Sequence, residues 1–347
     1  MNRSHRLSWG VLGQPTRCAA VLAGMVLLAA CERPPVESQQ VGYRGTGMVD
    51  IVNPRTEAMI VAANDVPASV PPIPDTGGPR ASDTYSNIQI PALQELGVAQ
   101  FNRLMTALTQ WVAPEVGCNY CHVAADLFSD DIYTKVVSRR MIEMTIDINT
   151  NWSEHVGATG VTCFTCHRGE SVPSETWHTG VADPHAGGFA ALSYGQNAPA
   201  GAVGLTSLPS DPLTAHLRDA SESIRVQPVR ALPTGSGASI QATEQTYALM
   251  IHMSESLGVN CTYCHNTRAF QPWPGSTEAR VTAWHGLALA RHVNGDYIEP
   301  LTDVFPPERL GPLGDAPKAS CATCHRGQSR PLNGVSMTAG FPELTGD

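Results

Sequence analysis

Cys-Asn-Tyr-Cys-His at 118–122, Cys-Phe-Thr-Cys-His at 163–167, Cys-Thr-Tyr-Cys-His at 261–265 and Cys-Ala-Thr-Cys-His at 321–325 govern the reading of this chain of 347 residues. Two thiols three residues apart can add to the two vinyl groups of one haem, and the next side chain is then held against the iron as its proximal ligand. The pattern therefore assigns covalent thioethers to Cys118, Cys121, Cys163, Cys166, Cys261, Cys264, Cys321 and Cys324, and iron to His122, His167, His265 and His325. Four haem c groups follow. Structural zinc has no need of a His after every pair, and disulfide or redox motifs do not recur four times with one. Of the ten cysteines only Cys18 and Cys31 remain, so no sulfur is left for a disulfide.

Those two cysteines belong to the N-terminus. Arg3, Arg6 and Arg17 precede an apolar run, Cys18 to Ala30, that ends in Leu28-Ala29-Ala30-Cys31. The run is too short to span a bilayer comfortably and has the form of a lipoprotein signal peptide over 1–30, with Cys31 as the acylated first mature residue. Export would remove three arginines and no acid, so the 22 basic residues fall to 19 against 31 acids, a net of −12. That charge makes nucleic acid and anionic lipid surfaces poor partners and a basic protein a good one. Aromatic residues are only 6% of the chain, while Gly and Pro number 31 and 27. Such a composition suits a loop-rich protein built around something other than its own side chains.

Each motif follows a stretch of helical pattern: residues 92–111, closed by Pro114 and Gly117, then 132–148, 242–257 and 277–293. Pro34-Pro35 and Pro67 to Pro74 break any long helix before residue 90, and Val49 to Val61 has strand-like content. The halves repeat one another. The first and third motifs share Tyr-Cys-His, and the second and fourth share Thr-Cys-His-Arg-Gly. The expected fold is mainly α with extensive irregular regions, as two pseudo-symmetric two-haem halves. Its divisions are a wrap at 31–90, a first half at 91–170, a connector at 171–240, a second half at 241–330 and a tail at 331–347.

A sixth iron ligand can come from the helix ahead of each motif, and Met raises the potential relative to His. Met105 precedes the first motif, Met141 and Met144 the second, and Met250 and Met253 the third. The fourth helix has no Met, and His155, His285 and His292 all remain open for that haem. Helical rotation turns His252 away from the Met250 face, toward the surface. His178, His185 and His216 fall in irregular sequence and read as solvated.

These motifs, with Phe101-Asn102-Arg103-Leu104-Met105, Asn149-Thr150-Asn151-Trp152 and Leu257-Gly258-Val259-Asn260, resemble the tetrahaem cytochrome c subunit of purple-bacterial photosynthetic reaction centres. The resemblance implies Met105, Met141 and Met250 as sixth ligands of the first three haems, and His155 for the fourth, opposite His325. It further implies a lipid-anchored electron carrier, not an enzyme, on the periplasmic face of the photosynthetic membrane. Such a carrier would bind the reaction-centre core and take electrons from a soluble donor, a basic cytochrome c or a high-potential iron–sulfur protein. A respiratory multihaem cytochrome or a multihaem reductase is the alternative; a reductase needs an iron with an open sixth position.

Overall fold

The computed structural model describes residues 35–45, 47–68, 72, 77–180, 200–219, 224–226 and 239–346. The signal segment, Cys31 and His185 lie outside the described residues. Among those described, no helix is long and apolar enough to cross a membrane.

The fold is mainly helical with much irregular chain. The described part opens with an antiparallel pair, β1 (Glu37–Gln40) and β2 (Val49–Val52), in the register Glu37 to Val52. Helix α1 (Pro54–Ala63) follows at once. The strand-like reading of Val49 to Val61 thus holds only to Val52, and the reason is local. Asn53 caps the helix by accepting from the Arg55 amide, and Pro54 occupies its first turn, where the missing N–H costs nothing.

Four longer helices stand where the periodicity placed them: α2 (Val98–Val112), α3 (Tyr133–Asn151), α6 (Ile240–Leu257) and α7 (Glu278–His292). The single turns α4 (Ser153–Val156) and α5 (Cys163–His167) stand between α3 and α6, and another, α8 (Cys321–His325), follows α7. The second and fourth motifs are thus α-helical turns, each closed by a capping box from Thr162 with Thr165 or Ser320 with Thr323. The first and third motifs begin on 3₁₀ turns, Gly117–Tyr120 and Cys261–Tyr263.

Among the described residues the buried apolar side chains form three small clusters. Leu104, Ala107 and Trp111 of α2 meet Ile142 of α3, and the C-terminal tail completes the group with Phe341 and Leu344. Trp111 and Phe341 pack edge to face with centroids 4.7 Å apart, and the Arg103 guanidinium covers Phe341. A second cluster joins Ile148, Val293, Ile298 and Ala316, and a third joins Leu213, Leu217, Leu249 and Leu287. Beside them runs a cavity of about 1420 Å³, larger than the ordinary run of ligand pockets.

Candidate functional site

The cavity wall carries the chemistry that the motifs announced. His122, His167 and His325 line it with the six cysteines of their motifs, and so do Met105, Met141, Met144 and His155. The third motif contributes only Tyr263. Met253 reaches the cavity, while Met250 packs against the Leu213–Leu217–Leu249–Leu287 cluster.

Each motif His is fixed the same way. His122 Nδ1 lies 3.0 Å from the Leu127 carbonyl oxygen and His265 Nδ1 3.0 Å from that of Phe270. His167 Nδ1 is 2.8 Å from the Glu170 carbonyl and His325 Nδ1 2.8 Å from that of Gln328. A carbonyl only accepts, so in each ring Nδ1 carries the proton and Nε2 keeps the lone pair. That is the tautomer and orientation a metal-ligating imidazole requires. Burial lowers the pKa of His167 and His265, and burial together with nearby His155 brings His325 down to about 4. In these three rings the shift favours the neutral imidazole.

His155 is set likewise, its Nδ1 donating to the Thr282 carbonyl at 3.0 Å. Its ring centroid is 5.9 Å from that of His325, a separation with room for one metal ion bonded to both rings at about 2 Å. His292 is differently engaged. Its Nε2 meets Asp147 Oδ2 at 2.6 Å and its Nδ1 meets Asp296 Oδ2 at 2.5 Å, so neither nitrogen is left for iron. His285 is half-buried on α7.

The expectations for three histidines are corrected. His252 is buried, not on the surface: Gly201–Val203 packs on that face of α6, and burial lowers the His252 pKa to about 4. His216 is fully buried, because the turn Thr214–Arg218 docks on α7, where Arg291 donates to the His216 carbonyl. His178 is half-buried on the cavity wall, not solvated.

The second and fourth motifs lie against one another: α5 and α8 meet with the Cα atoms of Cys166 and Cys324 4.5 Å apart. Burial pushes the Cys163, Cys264 and Cys321 thiols up to about 11, the reverse of what thiolate zinc ligands or catalytic cysteines need. Among the described residues, no group of three or more His, Cys, Asp or Glu is arranged to hold a bare metal ion. The donor set fits haem: paired thiols beside a neutral, braced imidazole in an apolar cavity.

Several functional groups left no readable signal. The four bracing carbonyls are backbone atoms. Arg168 and Arg326, which follow the second and fourth motifs, cross over: Arg326 donates to the Cys166 carbonyl at 3.0 Å and Arg168 to that of Cys324 at 3.4 Å. Both take left-handed backbone, which lets the glycine amides behind them reach the preceding helices, Gly169 to Trp111 and Gly327 to Ser256. A Cβ on Gly258 would fall on the Gly327 carbonyl, so only glycine permits that approach. The repeated Arg-Gly pair was the available clue.

The family profile described as Photosynthetic reaction centre cytochrome C subunit matches residues 32–345. The chain is 51% identical over 330 residues to the photosynthetic reaction center cytochrome c subunit of Rubrivivax gelatinosus, spanning 95% of this chain and 88% of that one. It is 46% identical over 331 residues to that of Thermochromatium tepidum, spanning 95% and 80% of the two chains. With that of Roseobacter denitrificans it shares 43% over 350 residues, spanning 96% and 91%. Haem-attachment motifs with braced histidines, on a chain matched nearly end to end, place this protein in the family of photosynthetic reaction centre cytochrome c subunits.

Proposed function

We propose that this subunit carries four haem c groups and relays electrons from a soluble periplasmic donor to the photo-oxidised reaction centre. Family membership makes it an electron carrier with covalently attached haem c that associates with reaction-centre core subunits. The observation that carries the finer reading is the recurrence of one arrangement at all four motifs, a His held through Nδ1 with Nε2 free. Bound haem supplies a reversible one-electron couple, and the chain sets its potential through axial ligands, burial and nearby charge. On this reading Met105, Met141 and Met250 complete the first three ligand pairs. His155 completes the fourth, which the engagement of both His292 nitrogens favours.

Paired hydrogen bonds support two two-haem halves. Thr134 Oγ1 donates to the Tyr120 carbonyl and Thr277 Oγ1 to that of Tyr263. A small bridge closes the loop after each of these motifs, Val123 with Asp126 and Asn266 with Ala269.

The ends of the molecule differ. The β1–β2 pair is fastened to the third motif: Asp50 accepts from the amide and side chain of Asn260, and Thr262 donates to the Val49 carbonyl. Phe270, Trp273, Val281 and Trp284 are exposed there, an apolar surface suited to the core subunits. At the first motif Val116 is exposed with Glu115, Asp126 and Asp131, next to Leu127 and Phe128 of the cavity wall, a rim suited to a basic donor.

Flash-induced absorbance of the haem α-bands in membranes containing the protein tests the proposal. Haem oxidation that tracks re-reduction of the special pair is the expected result. With all haems reduced beforehand, no light-induced oxidation would refute it.

A further inference from the structure

The ring of His155 is fixed by a helix distant in sequence. His155 sits on α4, a single turn that ends at Gly157 in left-handed backbone. Its Nδ1–H goes to the Thr282 carbonyl on α7, and one helical turn further along α7 stands Gly286. An ideal Cβ built on Gly286 would lie 2.5 Å from His155 Cε1, 2.9 Å from Nδ1 and 3.2 Å from Nε2. No real Cβ tolerates the first of these distances. The imidazole therefore occupies the space that a side chain at position 286 would fill.

Helix chemistry alone does not call for glycine here. It is the poorest interior helix former after proline, and α7 carries alanines at 279, 283, 288 and 290. A residue that weakens its helix and yet opens the space used by a proposed iron ligand has its reason in that ligand. We propose that Gly286 is a positioning residue of the haem site at the fourth motif: its missing side chain and the Thr282 carbonyl together hold His155 with Nε2 facing His325. The proposal rests on the reading of His155 as the partner of His325.

Two consequences of opposite sign follow. With His155 present, Gly286→Ala pushes the imidazole off the helix and leaves the iron opposite His325 open to small ligands. With His155 shortened, the same alanine meets no obstacle and strengthens α7. Gly295, also in the α7 region, has nothing within 4 Å of its built Cβ and serves as the control.

The test uses the purified holoprotein of each variant and reads carbon monoxide difference spectra of the reduced protein, high-spin ferric resonance and thermal midpoint. We expect Gly286→Ala and Gly286→Val to make one of the four haems reactive with carbon monoxide, as His155→Ala does, and Gly295→Ala to leave all unreactive. Gly286→Ala should lower the thermal midpoint alone and raise it when added to His155→Ala. If His155→Ala opens a haem and the Gly286 variants open none, the positioning role is overturned and the ligand assignment stands. If His155→Ala itself opens none, the ligand assignment fails and the proposal with it. Should Gly286→Ala fail to accumulate, the double variant decides: recovery identifies the ring as the obstacle, and continued failure overturns the proposal.

Discussion

At the scale of single residues, the site depends on which atom of each side chain is left available. The four motif histidines and His155 give Nδ1 to a carbonyl and keep Nε2, whereas His292 gives both nitrogens to carboxylates. The sixth position is then a choice between sulfur and nitrogen. Met105 lines the cavity among the apolar neighbours of Leu104 and Trp111. Met105→His should lower the midpoint of the first haem by on the order of 0.1 V, within the roughly 0.8 V that axial ligands span. A redox titration of the α-band checks this, and an unchanged midpoint would remove Met105 from the ligand set. Cysteines and histidines were legible because their spacing has one chemical explanation. Gly286 was not, since a glycine inside a helical pattern gives no hint of which distant ring lies over it.

At the scale of elements, polar contacts hold the irregular chain in place around the cavity. Trp177 and Lys318 exchange backbone hydrogen bonds, Lys318 lies over the Trp177 ring, and its ammonium meets Asp315 with the side chain wholly buried. Burial alone would push the Asp315 carboxyl up, but the Lys318 ammonium and the Thr179 amide prevail and hold it at about 2. A carboxyl with a depressed folded pKa stabilises the protein above its unfolded value of about 4, and that contribution fades as pH falls toward 2. Asp315→Asn leaves a buried cation uncompensated and should cost about 3–5 kcal/mol, read as a lower denaturant midpoint at neutral pH. The difference between variant and parent should shrink in acid. The four long helices were legible because their apolar spacing is regular. Helix α1 and the burial of His252 were not: one depends on an Asn-Pro start inside an apolar run, the other on an irregular segment that happens to cover it.

For the whole molecule, three small apolar clusters around a large cavity leave little to sustain the fold without the prosthetic groups. Chain produced without haem attachment should show helical far-ultraviolet signal at best, lose its near-ultraviolet signal and be cut readily by protease. A protease-resistant apoprotein would count against the haems as core. Charge acts over the same scale: Asp126→Lys with Asp131→Lys, both on the surface by the first motif, should slow re-reduction by a basic donor several-fold at low salt and flatten its salt dependence. Unchanged salt dependence would move the docking site elsewhere. The imidazole braces have a last consequence. In each the imidazole and the carbonyl that braces it belong to one short stretch, 118–127, 163–170, 261–270 or 321–328. What a gene must copy to gain another correctly aimed proximal ligand is then a cassette of eight to ten codons rather than a domain. The long and short versions are portable parts, and a multihaem protein can grow by accumulating them.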